Sequence, residues 1–440
     1  MYMTQKFHRL QLQSAGKDDI IIIGSGPAGL MSATLSLKLI PARRIFLVEN
    51  RPEATRTIMM WIDNKFIKYI DKSILDSINK ENAMCISNNI TPIPCINTEE
   101  KNISEENEET RIQLNILEQK WRDWLIVKGV KFIVIDKDKP LTNIDFEKIK
   151  SENIIFADGV ASSSSKYFFD IKHKLLISYA IVITFTCNLK YNEYDQDYYN
   201  NLLKNQNSVV TYYSKPLTGN KSVGYIGLQI SHETYQKLLH FRGKELITEL
   251  KKEEEGVIYN HIENNLYENI EPEYTGIFPI NIQTATHFHT NINSKNFFII
   301  GDAAYSTHFF SGLGMNRGMD AALKLYELMN SKEKNIGKQY NEFQINQRNF
   351  LWKDIIPQYL YPISDTLIKC NKDIKCIYCE SNKTNDLRTS FSDTIIKLTG
   401  DSLYSDIKPI EIKLVKQKYL KYKNKYLKLK NQLDSINKKN

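Results

Sequence analysis

The chain has 440 residues, of which 42% are apolar and 25% are charged, so it is long enough to bury a large core and to form two domains. It has no apolar run that could cross a membrane, and its first residues lack the apolar stretch of a secretory signal, so we expect a cytoplasmic protein without a membrane span. The chain has a net charge of +8, and the segment 411–440, with ten lysines and two acidic residues, carries all of this excess. The rest of the chain is neutral in sum, and no nucleic-acid partner is expected for it.

Four consecutive isoleucines at residues 20–23 predict a strand that is buried on both faces. The sequence GSGPAG follows at residues 24–29, and residues 30–40 contain no helix breaker. In such a strand–turn–helix unit the first glycine permits a tight turn and the second lets the backbone approach a pyrophosphate. The third glycine lets the helix pack closely on the strand, and the amides of the first helical turn favour a phosphate group.

A second apolar run, residues 45–48, predicts a neighbouring strand that ends at Glu49. This carboxylate follows the first glycine by 25 residues, a spacing at which an acidic residue can accept hydrogen bonds from the ribose of an adenosine. The alternative is a surface loop in which the glycine pattern occurs by chance. The strand predicted before the turn and the strand predicted to end at Glu49 favour the dinucleotide motif over this alternative. The sequence therefore predicts a dinucleotide site.

Farther along, apolar residues at helical spacing predict a helix over residues 111–128, followed by strands at 130–135 and 154–157. The second of these strands ends in Asp158-Gly159. From about residue 162 to residue 287, long strand-like stretches replace this pattern and predict a second, sheet-rich domain. These stretches are Leu175–Leu189, Ser208–Tyr213 and Ser222–Ile230.

The pattern of the first domain returns at residues 296–300, which predict an apolar strand that ends in Gly301-Asp302-Ala303-Ala304. A loop with two further glycines then leads to a helix predicted over residues 316–329. We therefore expect the first domain to be split in sequence around the second.

The segment 411–440 has apolar residues at alternating steps of three and four, the spacing of a heptad repeat. This pattern fits a coiled coil, and it also fits a lysine-rich helix that packs loosely on the rest of the protein. Because the flanking lysines would repel a parallel copy, an acidic protein partner is favoured over self-pairing. Upstream of this tail, Cys370, Cys376 and Cys379 are expected to be free thiols rather than a zinc site, since no fourth ligand lies nearby.

Three separated motifs together resemble the class A flavoprotein monooxygenases, the fold of the aromatic hydroxylases. They are GSGPAG with Glu49, Asp158-Gly159 and Gly301-Asp302-Ala303-Ala304. The segment 301–322, GDAAYSTHFFSGLGMNRGMDAA, resembles the second FAD fingerprint of that family. The tail, in turn, resembles lysine- and tyrosine-rich C-terminal segments of giant-virus proteins.

The resemblance implies FAD as the cofactor and gives several residues a role. Asp302 would bind the ribityl chain, and the backbone at the start of the following helix would face the pyrimidine side of the flavin. The Glu49-Asn50-Arg51 sequence resembles the acid-x-Arg pattern of the family, and Arg111 resembles an arginine that reaches FAD. The residues expected to bind the cofactor are Gly24, Gly26, Ala28, Gly29, Glu49, Arg51, Arg111, Asp158, Asp302, Gly314, Met315 and Asn316.

The sequence also departs from the family pattern. Tyr305 stands where a histidine is usual and Phe309 where a proline is usual. Serines at 162–165 replace an arginine expected after Asp158-Gly159, with only Lys166 beyond them. Because that region is associated with nicotinamide cofactors, we expect NADPH or NADH to reduce the flavin slowly or through a partner reductase.

The resemblance implies an FAD-dependent oxidoreductase, above all a monooxygenase that acts through a flavin hydroperoxide on an unidentified small-molecule substrate. No catalytic side chain and no metal site is assigned. A protein substrate stays open, as does a flavin-dependent reductase or dehydrogenase of the prenyl-reductase type. A non-catalytic binding protein on the same scaffold is the further alternative, although it would have no use for Glu49 and Asp302.

The predicted architecture is an α/β protein with an FAD-binding, Rossmann-like domain of the glutathione-reductase type. We expect this domain over residues 18–160 and 291–330, and a sheet-rich substrate domain over 161–290. A polar, partly helical region is expected over 331–410, and a basic, heptad-like helical tail over 411–440.

Overall fold

The structure is a computed structural model of the chain. It describes residues 2–56, 58–80, 84–87, 109–160, 162, 165–189, 209–214, 222–307, 313–331 and 335–352. The strands in chain order are β1 (Ile20–Ile23), β2 (Ile45–Glu49), β3 (Met59–Ile62), β4 (Met84–Ser87), β5 (Glu109–Gln113), β6 (Lys131–Val134), β7 (Asn153–Phe156), β8 (Ile171–Leu189), β9 (Val209–Ser214), β10 (Ser222–Ile230), β11 (Tyr267–Ala285), β12 (His289–Ile292) and β13 (Lys295–Ile299).

The helices lie between and after these strands. In chain order they are α1 (Tyr2–Gln13), α2 (Pro27–Ser36), α3 (Asn64–Ile67), α4 (Lys72–Lys80), α5 (Leu114–Val127), α6 (Asn143–Lys148), α7 (His232–Leu238), α8 (Gly243–Leu250), α9 (Gly256–Leu266), α10 (Leu313–Ser331) and α11 (Ile336–Phe350).

A six-stranded sheet forms the centre of the molecule, with the strand order β12-β13-β7-β1-β2-β6. Its strands are parallel except β12, which pairs antiparallel with β13. All four isoleucines of β1 are buried, as expected for a strand between two neighbours and two covering layers. The prediction of a mixed α/β protein with a parallel sheet is confirmed. The strand β13 follows the second sheet in sequence and lies beside β7.

A second, antiparallel sheet has the order β11-β8-β10-β9. The predicted strand Ser222–Ile230 is found with these bounds, and the strand predicted from Leu175 begins earlier, at Ile171. One face of this sheet packs with α7, α8 and α9 in a separate hydrophobic cluster that includes Phe185 and Tyr259. The strands β8 and β11 are each 19 residues long. Ala180, at the middle of β8, and Ile282, near the end of β11, belong to the core of the first sheet. These two long strands therefore join the two cores.

A small antiparallel sheet, β3-β5-β4, corrects one prediction. The helix expected from Arg111 begins at Leu114, because residues 109–113 pair with both neighbouring strands. The backbone amides of Leu114 and Asn115 then donate to the carbonyl groups of Ile58 and Arg56, each over 2.9 Å. Hydrogen bonding to strands distant in sequence overrides the helical periodicity at this end.

The amino-terminal segment is helical. Helix α1 has Leu12 buried in the main core. The guanidinium of Arg9 donates to both carboxylate oxygens of Asp145, at 3.0 and 2.8 Å, and Nδ1 of His8 lies 2.6 Å from the carbonyl oxygen of Val134. Partners more than 100 residues away hold this helix, and no local pattern could have revealed them.

Helix α11 adds a further element to the core of the central sheet. Tyr340, Leu351 and Trp352 are buried there, and the hydroxyl of Tyr340 donates to the carbonyl oxygen of Ile299 at 3.0 Å. The three clustered cysteines, the basic tail and Phe309 lie outside the described residues. Within the part of the chain that the structure describes, no helix is long and apolar enough to span a membrane.

Candidate dinucleotide-binding site

The glycine turn after β1 has the geometry that its sequence predicts. Gly24 has φ +104°, and a methyl group there would lie 2.4 Å from the carbonyl oxygen of Ala157. A methyl group on Gly29 would lie 2.0 Å from the carbonyl oxygen of Gly24. Both distances are shorter than any real carbon contact, so the first and third glycines are required by the backbone itself. Gly26, with φ −72°, is the N-cap residue of α2 and has room around it.

The first turn of α2 is in contact with the late motif, more than 270 residues away in sequence. A methyl group on Gly318 would lie 3.0 Å from Cβ of Ala28 and 3.2 Å from Cα of Gly301. Gly301 itself has φ +62°. Small residues at these three positions let α2 and α10 approach each other closely. Gly318 was not predicted, and its place two residues after the predicted start of a helix is the only sequence signal.

Asp302 and Gly314, both predicted to bind the cofactor, lie close together. A methyl group on Gly314 would lie 3.4 Å from Oδ1 of Asp302. The side chain of Asp302 is open to solvent, yet protein atoms crowd around it and raise the pKa of its carboxyl, an effect that the charge of Arg56 opposes. A crowded but accessible carboxylate lies in a cleft rather than on an open surface. Asp302 is therefore available to a bound molecule.

The side chain of Asn316 has a structural role at the start of α10. It is buried, its Oδ1 accepts from the amide of Asp63 at 2.9 Å, and its Nδ2 donates to the carbonyl oxygen of Trp61 at 3.1 Å. These bonds fix the helix to the end of β3 and leave the backbone of the first helical turn, which includes Met315, for contact with a ligand. The predicted role of that backbone stays a prediction.

Glu49 is buried, and its carboxylate is fully occupied. It accepts from the amide and hydroxyl of Ser25 at 2.8 and 2.7 Å, and from the amides of Asn50 and Arg51 at 3.0 Å each. Burial alone would raise the pKa of Glu49, but the hydrogen bonds from Ser25 and the charge of Arg51 lower it below the usual value. Glu49 thus stabilises the glycine turn, and contact with a ribose would require sharing of one of these oxygens.

Two buried charges on α5 were not predicted. Arg122 donates from Nη2 to the hydroxyl of Ser25 at 2.9 Å and from Nη1 to the carbonyl oxygen of Pro52 at 2.8 Å. One helical turn earlier, Glu118 accepts from Nη2 of Arg56. Both side chains are almost completely buried, among the apolar positions of the same helix. Charged residues within an apolar helical stripe were the available signal, since such residues need a partner.

Asp158 lies against the glycine turn, with its Cα 2.7 Å from the position of a methyl group on Gly24. Its Oδ2 accepts from the hydroxyl of Ser162 at 2.6 Å, and its buried Oδ1 has no hydrogen-bond partner among the described residues. Burial raises the pKa of Asp158 to about 7, although the Ser162 hydroxyl opposes the shift. Ser162, the first of the serines that stand where an arginine is expected, therefore binds this carboxyl, whereas Lys166 is exposed.

The two remaining predicted residues lie at the edges of the site. Arg51 is partly exposed, with its Nε 3.4 Å from Oε1 of Glu49. Arg111 pairs through its backbone with Trp61 and Cys85 in the small sheet. Its backbone pairs with β3, the strand whose Trp61 carbonyl accepts a hydrogen bond from Asn316. The predicted contact of Arg111 with FAD stays a prediction.

A dinucleotide fits the groups around the turn. Among the residues described near the two motifs, four buried polar atoms lack a partner: Nε of Arg56, Nε of Arg122, Oδ1 of Asp158 and Oγ1 of Thr307, whose methyl carbon lies 3.5 Å from the position of a methyl group on Gly314. Native proteins leave few such atoms unpaired, so a polar ligand is a natural partner. No group of three metal-ligating side chains is found among the residues described.

Comparisons with known proteins identify the fold. No family profile and no curated protein matches the chain. A flavoprotein/dehydrogenase from Cytophaga hutchinsonii is 14% identical with a TM-score of 0.53, over 78% of this chain and 86% of its own. The flavin-dependent brominase Bmp2 is 13% identical with a TM-score of 0.53, over 92% of this chain and 100% of its own.

A third solved structure, a mutant of PqsL from P. aeruginosa, is 14% identical with a TM-score of 0.51, over 76% of this chain and 94% of its own. At these identities the likeness concerns the fold alone. The chain therefore has a fold that occurs in flavoproteins, including flavin-dependent enzymes.

Proposed function

We propose that this protein is an FAD-dependent oxidoreductase, and specifically a monooxygenase that acts on a small molecule. The observation that carries the proposal is the close contact of Ala28 with Gly301 and Gly318. It sets the amino end of α2 beside the loop of Asp302 and the amino end of α10. A dinucleotide with a flavin at one end needs these three features side by side.

The roles follow from the chemistry of each group. The turn around Gly26 and the guanidinium of Arg56 would hold the pyrophosphate, and Asp302 would accept hydrogen bonds from the ribityl hydroxyls. The amides at Gly314 and Met315 and the positive end of the α10 dipole would stabilise negative charge on the reduced flavin. Bound FAD supplies two-electron redox chemistry, including transfer of an oxygen atom from O₂ to a substrate.

A flavin-dependent dehydrogenase or reductase is the second candidate, because the solved structures that share this fold include a flavoprotein/dehydrogenase as well as a brominase. The two candidates differ in the molecule that oxidises the reduced flavin. A monooxygenase consumes O₂ in proportion to hydroxylated product, whereas a dehydrogenase passes electrons to another acceptor. NADPH or NADH would be the reductant, slowly or through a partner reductase.

The proposal is tested by denaturing the purified protein and identifying the released cofactor by chromatography. We expect FAD, released without proteolysis because it is not covalently bound. Recovery of FMN, or of no flavin even after incubation with FAD, would overturn the proposal.

The variant Gly26→Ala sharpens this test. The nearest atoms to the added methyl group lie at 3.6 and 3.7 Å, which are ordinary contacts, so the protein should fold normally. The methyl group would, however, occupy the place where a pyrophosphate approaches, and flavin content should fall at least tenfold. Gly16→Ala is the matched control, since its nearest neighbours also lie at 3.6 Å and it is remote from the turn.

A further inference from the structure

The ion pair between Arg56 and Glu118 lies directly over the glycine turn. From the position of a methyl group on Gly26, Nη2 of Arg56 is 3.6 Å away and Oε1 of Glu118 is 3.7 Å away. The Glu118 side chain is only 1% exposed. A carboxylate thus lies within contact distance of the place where the proposed site would hold a pyrophosphate.

The charges around Glu118 come from three elements. Arg56 and Arg51 face it from the loop after β2, Glu49 faces it from the end of β2, and Arg122 lies one turn along its own helix. Burial raises the pKa of the Glu118 carboxyl, and Arg56 and Arg51 oppose this shift. Of these cations, Arg56 is the one that forms a hydrogen bond with Glu118.

A bound pyrophosphate would change this balance. It brings two negative charges to the turn and competes with Glu118 for the guanidinium of Arg56, whose Nε has no partner among the residues described. If Arg56 moved to the phosphates, an ionised Glu118 would stay buried, without its partner and next to two like charges. A buried carboxyl in that position becomes protonated, because desolvation and like charges both disfavour the ionised form.

We propose that Glu118 holds Arg56 over the glycine turn before the dinucleotide binds, and that it takes up one proton from solvent when Arg56 transfers to the pyrophosphate. Glu118 is then a positioning residue for the cofactor, and the affinity for FAD decreases as pH rises. This inference rests on the proposed FAD site.

The test uses the full-length protein freed of flavin and titrated with FAD by calorimetry at pH 7, in two buffers with different ionisation enthalpies. The difference in heat gives the number of protons taken up. We expect uptake by the wild type, and in Glu118→Gln a smaller uptake with FAD binding retained. Glu152→Gln is the matched control, because Glu152 pairs with Lys17 away from the turn, and it should behave as the wild type.

The pH dependence gives a second measurement. Between pH 6 and 8 the Kd of the wild type for FAD should rise by up to about tenfold per pH unit, the limit for one linked proton, and that of Glu118→Gln should rise less. If Glu118→Gln does not fold, Arg56→Met serves in its place. Glu118 is then already protonated, so uptake should fall although FAD binds more weakly.

The outcomes separate the two proposals. A wild type that does not bind FAD would refute the proposed function. A wild type that binds FAD without proton uptake would refute the role of Glu118 alone, as would a folded Glu118→Gln variant with undiminished uptake.

Discussion

The glycine turn of the central sheet and the antiparallel second sheet both have buried side chains around them, but the chemical character of those side chains differs. Around the turn, Glu49, Glu118 and Arg122 are nearly inaccessible to solvent. The hydroxyl of Ser25 bonds to both Glu49 and Arg122, and Arg56 donates to Glu118. The second sheet buries an apolar cluster around Phe185 under three helices. The comparison shows that charged groups surround the turn whereas apolar packing holds the second sheet, and the charged surroundings of the turn support the proposed dinucleotide site.

The largest effect is expected for Gly24→Ala, in the turn. The added methyl group meets a backbone carbonyl at 2.4 Å and forces a left-handed conformation on alanine, so we expect loss of flavin and loss of most of the folding stability. Flavin absorbance and thermal unfolding measure both. Gly159→Ala is the control, since Gly159 also has a positive φ, +77°, but nothing lies within 4 Å of its methyl position. If the two variants were equally stable, steric contact at the turn would not be the cause.

The next largest effect is expected for Phe185→Ala, in the second sheet. Phe185 is fully buried, and truncation of a buried phenylalanine costs about 3–5 kcal/mol of unfolding free energy. Flavin content per folded molecule should not change. Denaturant unfolding measures the loss, with the exposed Val257→Ala as a control expected within about 0.5 kcal/mol of the wild type. Loss of flavin from folded Phe185→Ala would show that the two regions are not independent.

A smaller, pH-dependent effect is expected for Asp158→Asn. The folded pKa of Asp158 is raised to about 7, above its usual value of about 3.9, so the folded state binds the proton more tightly. Its contribution to stability is therefore complete below about pH 4 and is lost as pH rises towards 7 and beyond.

In Asp158→Asn that loss should be absent. At pH 8 the flavin-free variant should be more stable than the wild type by up to about 4 kcal/mol, the value that a shift of about three pKa units gives, and near pH 4 the difference should vanish. Urea unfolding at several pH values measures this. A residual slope is expected from Glu118 and Asp302, whose pKa values are also raised. Identical pH profiles for both proteins would contradict the assignment.

The smallest effect is expected for Ser178→Ala, in the second sheet. The buried hydroxyl of Ser178 donates to Oε1 of Gln229 at 2.7 Å, and loss of such a bond costs about 1 kcal/mol. Stability should fall by that amount with flavin binding unchanged. A simultaneous change in FAD affinity would extend the ligand-binding role to this sheet.

Much of the fold could be predicted because its signals are local. The isoleucines of β1, the GSGPAG turn and the strand that ends at Glu49 lie within 30 residues of one another. Short buried strands and glycines with a fixed conformational need leave a clear pattern in sequence. The second sheet was predicted as strands, but neither its register nor its covering helices could be derived.

The sequence by itself determined the class of fold, the glycine turn and the two motifs that meet there. Only the tertiary structure decided which charges surround that turn, since Arg56 and Glu118 are 62 residues apart, and Arg122 and Ser25 are 97 residues apart. Glu49 likewise shows in sequence as a free acceptor, and only the fold reveals that Ser25 and Arg51 occupy it. A buried charge is stabilised by whatever partner the fold brings within about 3 Å, and for Glu118 and Arg122 those partners lie far away in the chain.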